Sequence, residues 1–265
     1  MIPEEIRRYA EDPNAAGDDL PPPLKRVVTD GYVLWLGAVP SLTSVSRLRL
    51  APEDVAETLT RVRELVAEHG HRNATWWVGS SATPADLVDR LVAHGPLPDD
   101  RPGYEAHATA MATVTAPPPA PAGIVARRVE TWEEYEASIG VTAAGFGMPE
   151  TELEEWRAVA RERWDAEQAG HAVRTYLAWL GADPVAVGRM LPGPCAGFLI
   201  GGTTVPAARG RGAYRALVRA RWEDAVAAGT PALVTQAGKT SRPILERLGF
   251  EPVAEIEVLL DPETA

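Results

Sequence analysis

The residues best suited to binding chemistry lie in one glycine- and arginine-rich segment, Gly201 to Tyr214, whose centre is Arg209-Gly210-Arg211-Gly212. Glycines lack a Cβ atom, so a ligand can approach the backbone closely there. The segment leads into an amphipathic stretch, and the first turn of a helix has unpaired N–H groups and the positive end of the macrodipole. Two arginines add positive charge. The segment therefore predicts a binding site for a phosphate-like group.

Two common phosphate-binding loops do not match this segment. The sequence contains no Gly-x-x-x-x-Gly-Lys-Ser/Thr run, which disfavours a Walker-type ATP site. The dinucleotide pattern Gly-x-Gly-x-x-Gly is also absent, because Gly210 and Gly212 are followed by Ala-Tyr-Arg. A dinucleotide loop normally follows the first strand of its unit, whereas this segment follows several predicted strands. Other phosphate-bearing ligands, coenzyme A among them, stay open.

The elements that must position this loop are predicted from periodicity and turn signals. In the second half of the chain they are a strand 124–129, a helix capped by Thr131 and running through Ile139, a charged helix 149–168, strands 172–180, 184–191 and 195–205, a helix to about 228, a strand 232–236, a helix 241–248 and a strand 252–260. The loop thus joins the last of three successive strands to a long helix.

A proline- and alanine-rich segment, 115–123, divides the chain, because such a composition favours an extended connector. It separates a lobe of residues 1–114 from a lobe of residues 124–265. In the first lobe we predict strands 32–39, 44–50, 74–79 and 106–114 and helices 52–69 and 84–94. Both lobes end in helix, strand, a helix begun near a proline, a glycine and a strand. This is a weak internal repeat.

The composition and charge of the chain argue against nucleic acid, metal and membrane as binding partners. The chain has 265 residues, a net charge of −11 and an apolar fraction of 45%, which predicts a globular protein that a nucleic acid backbone would repel. Its one cysteine cannot form an intramolecular disulfide, and no metal site is predicted. No apolar run approaches the length that spans a bilayer, so we expect no membrane association and a cytoplasmic location.

The loop resembles the coenzyme A loop of the GNAT superfamily of N-acetyltransferases, in which an arginine- and glycine-rich pattern follows a strand that ends near valine and proline. Here Arg209 to Gly212 follow Val205 and Pro206, and Leu248-Gly249-Phe250 matches the family's downstream Leu-Gly-Phe. The order of elements from Ile124 to Leu260 also agrees. The resemblance covers the second lobe well and the first lobe only loosely.

By this resemblance the protein has an α/β (α+β) fold of two GNAT-like lobes, with a mixed, mostly antiparallel sheet flanked by helices. The second lobe would bind acetyl-CoA as co-substrate and transfer the acetyl group directly to the amine of a small acceptor. The first lobe lacks the loop, so it would not bind coenzyme A and would shape the acceptor cleft. The residues implied at the coenzyme are Thr203 and Val205, pairing with the pantetheine arm, and Arg209, Gly210, Arg211, Gly212, Ala213 and Tyr214, around the pyrophosphate.

Several positions depart from the family pattern. Tyr214 stands where glycine or alanine is usual, so its ring must point away from the phosphates, as core packing would require. Leu245 stands where many members carry the tyrosine that protonates the leaving thiolate. The sequence also shows no obvious general base to take the proton of the acceptor amine. The candidates for proton transfer are His171, Glu150, Glu152, Glu155 and Ser241, for each of which a surface or helix-capping role is the simpler interpretation.

Three functions therefore stay open on the sequence. The first is acetyl transfer to an amine. The second is a non-catalytic protein that keeps coenzyme A as a ligand, which Leu245 and the missing base favour. The third is transfer of a longer acyl group, or transfer to an oxygen nucleophile. The acceptor can be a polyamine, an amino acid, an antibiotic or a protein amino terminus.

Overall fold

A computed structural model describes residues 1–15, 24–39, 42–101, 105–170 and 173–262. The strands are β1 (Lys25–Val28), β2 (Val33–Leu36), β3 (Thr43–Ser46), β4 (Ala74–Gly79), β5 (Leu97–Pro98), β6 (His107–Thr113), β7 (Ile124–Arg128), β8 (Arg174–Leu180), β9 (Asp183–Pro192), β10 (Gly197–Thr204), β11 (Leu233–Ala237) and β12 (Glu251–Asp261). The helices are α1 (Glu4–Glu11), α2 (Val55–Glu68), α3 (Leu87–Ala93), α4 (Trp132–Phe146), α5 (Glu150–Ala158), α6 (Ala160–Gln168), α7 (Ala213–Ala227) and α8 (Arg242–Arg247).

The twelve described strands belong to one sheet, in the order β1-β2-β3-β4-β12-β6-β11-β10-β9-β8-β7, with the short β5 paired to β12. The pairs β3–β4 and β10–β11 are parallel, and the other neighbours are antiparallel. Helices cover both faces. The predicted fold class, a mixed and mostly antiparallel sheet flanked by helices, is confirmed.

The last strand of each half pairs with a strand of the other half. β6, from the first half, pairs with β11, whereas β12, at the end of the chain, pairs with β4. β6 and β12 also pair with each other at the centre of the sheet. Each half therefore completes its sheet with a strand of the other. The division at residues 115–123 separates the halves in sequence, but their backbones interlock in space.

The helices of the second half begin and break for local reasons. The hydroxyl of Thr131 accepts a hydrogen bond from the N–H of Glu134 at 3.3 Å and caps α4, which runs on to Phe146 rather than ending near Ile139. The single helix predicted over 149–168 is wrong, because it is two helices separated at the β-branched Val159, whose φ and ψ are −104° and 5°.

Two apolar layers fix the position of the loop between β10 and α7. On one face α7 and α8 pack on the sheet through Leu217, Trp222 and Leu245. On the other face α4, α5 and α6 pack through Tyr135, Leu153 and Trp164. The sheet strands between these layers are buried on both sides, as the apolar sequences of β8, β9 and β10 require.

The first half contains elements that its sequence pattern did not predict. Helix α1 lies on β6, β11 and β12, where Ile6, Tyr9 and Ala10 are buried. Strand β1 forms an edge of the sheet, and β5 adds two residues beside β12. Across the described part of the chain, no helix is long and apolar enough to cross a bilayer.

Candidate active site

A gap opens between β10 and β11. These parallel strands pair only from Gly197 to Leu199, opposite Leu233 to Thr235, after which β10 continues along β9 as far as Thr204. An irregularity between Ile200 and Thr203 marks the point of separation. One edge of β10 is therefore left facing the gap, with backbone groups that a bound chain can use as it would use a sheet edge.

The loop after β10 ends in a concentration of unpaired N–H groups. Gly210 and Gly212 have φ values of +76° and +89°, which L-residues rarely adopt, and α7 begins at the next residue, Ala213. Among the described residues, none of the main-chain N–H groups from Gly210 to Arg215 donates a hydrogen bond. Consecutive free N–H groups at a helix start form an anion site.

The arginines of the loop have different surroundings. Arg209 donates from Nε to the carbonyl of Thr204 at 3.2 Å and from Nη2 to the carbonyl of Gly145 at 3.0 Å. It therefore ties the end of β10 to the end of α4. Arg211 is exposed at the loop surface, where its charge is available to an anion.

The main chain of Val205 is turned away from the gap. Its N–H donates to the carbonyl of Val185 at 2.9 Å, so this group, predicted to pair with a ligand arm, faces β9. Hydrogen-bonded pairs recur every second residue in an antiparallel ladder, which turns Thr203 toward β9 as well. The backbone of Thr204 faces the gap instead. A ligand arm in the gap would thus meet Thr204, which lies between the predicted Thr203 and Val205.

Tyr214 turns its ring into the core rather than toward the loop. A Cβ atom added at Gly202 would lie 2.8 Å from the ring, so the glycine in β10 makes room for it. Burial raises the pKa of the Tyr214 phenol, and the nearby Arg221 guanidinium opposes that change. The N–H of Tyr214 stays exposed to the loop while its side chain packs.

On the opposite face of the sheet, Arg189 is a buried cation beside the gap. It is 3% exposed, and it lies opposite Ile200 in the register of β9 and β10. Its Nη2 donates to the hydroxyl of Thr142 at 3.2 Å, while its Nε is buried without a partner. Burial, and then the charge of Arg163, lower its pKa to about 10, so it is charged at neutral pH.

The predicted candidates for proton transfer differ in their exposure and in their ion pairs. Glu150 is exposed and pairs with Arg157 at 3.1 Å. Glu155 pairs with Arg72 of the first half at 2.7 Å. Glu152 is half-buried, and burial together with the charge of Glu155 raises the pKa of its carboxyl. His171 lies outside the described residues.

The helix α8 offers no proton donor at the expected position. Leu245 is 1% exposed and belongs to the core under α7 and α8. Ser241 precedes α8 but does not cap it with its side chain, since its hydroxyl donates to the carbonyl of Gly238 at 3.2 Å. The capping role predicted for the Ser241 side chain is therefore wrong.

The first half borders the same side of the sheet as Arg189. Gln236, in β11 just beyond the separation from β10, donates to the carbonyl of Glu11 in α1 at 2.8 Å. The Glu11 carboxylate accepts from the N–H and the hydroxyl of Ser81, each at 2.7 Å. The ion pair of Arg72 with Glu155 joins the first half to α5. The segment between β3 and α2, which corresponds to the loop, contains no glycine.

Sequence reasoning missed Arg189 and the packing of α1 on the central strands. Arg189 carried one signal, because it is the only charged residue inside the apolar run Val185 to Leu191. An inward-facing charge in a buried strand needs a partner or a function. No comparable signal marked α1, whose apolar residues Ile2, Ile6 and Tyr9 cover a surface formed by strands of both halves.

The architecture is similar to that of solved acetyltransferase-fold proteins. A GCN5-related N-acetyltransferase from Kribbella flavida gives a TM-score of 0.70 at 19% identity, over 98% of this chain and 96% of that chain. A tandem GNAT protein from the clavulanic acid biosynthesis pathway gives 0.59 at 19% identity, over 99% and 89%. A GCN5-related N-acetyltransferase from Sphaerobacter thermophilus gives 0.58 at 19% identity, over 88% and 76%.

These likenesses show the fold, with two GNAT-like lobes in tandem, and confirm the fold expected from the sequence. No protein-family model matches the sequence, and no curated protein matches it. Within the described residues, no cluster of histidine, cysteine, aspartate or glutamate has the composition of a metal site.

Proposed function

We propose that this chain, which has the tandem GNAT fold, is an N-acyltransferase that moves the acetyl group of acetyl-CoA to the amine of a small acceptor. The observation that carries the proposal is the array of unpaired N–H groups from Gly210 to Arg215, beside the gap between β10 and β11. A pyrophosphate requires several convergent donors, and the start of α7 supplies them together with its dipole.

The gap suits the arm that joins the pyrophosphate to the thioester. Pantetheine contains two amides, and such a chain can add to a sheet edge as a further strand. The backbone of Thr204 faces the gap, and its N–H is the group we propose for this pairing, since its carbonyl already accepts from Nε of Arg209. The thioester then lies near Ile200 and Gly201, where β10 leaves β11.

The proposed reaction is direct transfer. The acceptor nitrogen attacks the carbonyl carbon of the thioester, a C–N bond forms, the C–S bond breaks, and the sulfur leaves as a thiolate. An alkylammonium has a pKa of about 10.4, so it must lose a proton before it attacks. Glu152 is the proposed base, since its raised pKa suits proton uptake better than that of an ordinary carboxylate. A thiol pKa of about 8.5 allows the thiolate to leave without a neighbouring acid, which Leu245 cannot supply.

Calorimetric titration of acetyl-CoA tests the coenzyme site. Gly210→Asp places a carboxylate among the proposed phosphate donors, in space where an added Cβ meets nothing within 4 Å. We expect micromolar binding to the wild type and a loss of at least about 30-fold in the variant, because the added charge repels the pyrophosphate.

Gly181→Asp is the matched control. Gly181 has φ +65°, close to the +76° of Gly210, its added Cβ also meets nothing within 4 Å, and it lies in the turn between β8 and β9. The control carries the same backbone strain and the same charge, so we expect wild-type affinity. Absence of acetyl-CoA binding to the wild type would overturn the proposal. Binding without thiol release from a broad panel of amines would instead support a non-catalytic coenzyme A protein.

A further inference from the structure

Trp156 lies between two arginines on the face of the sheet that α4, α5 and α6 cover. The guanidinium of Arg163 is 4.5 Å from the centroid of its ring, and that of Arg189 is 5.2 Å from it. Two like charges on one ring repel each other, and the charge of Arg163 contributes to the lowered pKa of Arg189. Two such neighbouring positive charges destabilise the folded protein unless a bound anion compensates them.

The side chains described around this group supply donors but no free anion. The Nε atom of Arg189 and the Nε1 atom of Trp156 are both buried without an acceptor. The neighbouring carboxylate, Glu167, is occupied, since it accepts from the N–H and hydroxyl of Thr175 at 2.7 and 2.8 Å and lies 3.7 Å from Arg128. Thr142 accepts one bond from Arg189, but its hydroxyl proton is given to the carbonyl of Ser138.

The group is next to the proposed position of the thioester. Arg189 lies opposite Ile200, and a Cβ atom added at Gly201 would be 3.2 Å from Nη1 of Arg189. Both residues belong to the segment where β10 separates from β11. A ligand held by this guanidinium would therefore have its other end within reach of the gap.

We propose that the acceptor carries a carboxylate as well as its amine, and that Arg189, Arg163 and the indole N–H of Trp156 bind that carboxylate. The inference rests on the proposed acyltransferase function and specifies the substrate class of the same site. Guanidinium groups and an indole N–H match a carboxylate in charge and in donor geometry. The acceptor is thus an amino acid or a related small amino carboxylate.

Access to the carboxylate site requires Trp156 to move. The ring covers Arg189, which is only 3% exposed. Trp156 belongs to α5, a helix of nine residues that ends at Val159, and so short a helix depends on its packing for stability. Displacement of α5 replaces the contact between ring and guanidinium by charge-assisted hydrogen bonds to the ligand.

The test compares amines that differ only in the carboxylate. Thiol release from acetyl-CoA is measured with glycine, β-alanine, 4-aminobutyrate and the common α-amino acids, each beside its own carboxamide. We expect the wild type to prefer the carboxylate of its best pair by about 100-fold or more in kcat/KM, because an amide leaves the buried cation unpaired. Arg189→Gln should reduce this preference to less than about tenfold, with a larger loss in kcat/KM for the carboxylate than for its carboxamide.

Arg161→Gln is the matched control. Arg161 also stacks on a tryptophan, at 3.8 Å from the ring of Trp132, and it lies on α6, the same helix as Arg163. Arg161→Gln also removes one arginine charge from beside a tryptophan, but away from Arg189, so we expect the wild-type preference to persist. Trp156→Phe keeps an aromatic ring but removes the N–H, and should weaken the preference about fivefold to tenfold.

The outcomes separate this inference from the proposed function. If no amine is acetylated and acetyl-CoA does not bind, the proposed function fails. If amines are acetylated but the wild type treats carboxylates and carboxamides alike, the carboxylate site is wrong and the function stands. Equal losses for both acceptors in Arg189→Gln would assign Arg189 to the thioester or to folding and overturn the inference. The wild-type panel and Trp156→Phe decide the question even if Arg189→Gln does not fold.

Discussion

At the scale of single residues, Glu152 differs from the other acidic side chains of α5. Burial is the main cause of its raised pKa, the charge of Glu155 adds to it, and Arg101 opposes both. Glu155 is committed to Arg72, and Glu150 is paired in solvent with Arg157. A carboxyl with a raised pKa suits proton transfer better than a carboxylate held in a solvated ion pair.

Glu152→Gln tests the proposed base. We expect kcat/KM of the wild type to rise with pH through the raised pKa of Glu152, above the value of about 4.3 for an ordinary glutamate. The variant should lack this rise and lose about 100-fold or more in kcat/KM. Glu154→Gln, which removes an exposed carboxylate from the same helix, should leave the profile unchanged. An unaltered profile in Glu152→Gln would assign the proton transfer to another group.

The same pKa shift affects stability, with a definite sign. The folded protein binds the Glu152 proton more tightly than the unfolded chain does, so the stability that this group contributes is present at low pH and decreases as the pH rises through the raised pKa. Glu152→Gln should therefore flatten the dependence of unfolding free energy on pH in that window. Parallel urea unfolding of the two proteins at several pH values would show this difference.

At the scale of elements, the contact of α4 with β10 holds the loop in place. The chain at Gly145 approaches β10 so closely that an added Cβ would lie 2.4 Å from Cγ2 and 2.5 Å from Oγ1 of Thr203. Arg209 reinforces the contact by bonding to the carbonyls of Gly145 and Thr204. The position of the helix therefore determines where the strand ends and where the loop begins.

Gly145→Ala should weaken this contact. We expect a loss of about 1–3 kcal/mol in unfolding free energy, because neither the helix nor the strand can move freely away from a new methyl group. Acetyl-CoA affinity should fall as well, since the loop follows the strand. Gly140→Ala is the control in the same helix, where an added Cβ meets nothing within 4 Å and the site is exposed.

Gly140→Ala should gain about 0.5–1 kcal/mol, because alanine loses less backbone entropy in a helix than glycine does. The two alanine substitutions are thus expected to have opposite signs. Equal effects in thermal unfolding would contradict the close approach of α4 to β10.

At the scale of the whole molecule, the exchanged strands make the two halves one folding unit. β12 lies between β4 and β6, and β6 lies between β12 and β11. Asp261, at the end of β12, is 2% exposed and pairs at 2.7 Å with Arg63 of α2. The end of the second half is therefore fixed within the core of the first, so damage to one half is expected to reach the other.

Leu34→Ala tests this coupling from the first half. Leu34 is fully buried among residues around α2 and α3, so its truncation should cost about 2–5 kcal/mol. Hydrogen exchange of β9, in the second half, should show the same decrease in opening free energy if the sheet unfolds as one unit. Unchanged protection of β9 beside a destabilised β2 would show that the halves unfold independently.

Local sequence pattern determined most elements of the second half, the position of the loop and the superfamily resemblance, but it did not predict α1, β1 or β5. Amphipathic spacing, the Thr131 cap and the glycines at 210 and 212 act over a few residues, so the chain itself carries that information. Which strands become neighbours depends on contacts between residues far apart in sequence, so only the tertiary structure decided the exchange of β6 and β12. It also set which residues of β10 face the gap, because that depends on the pairing of β10 with β9. It buried Arg189 beside Trp156 with no ion pair among the described residues, because burial depends on what packs above a strand.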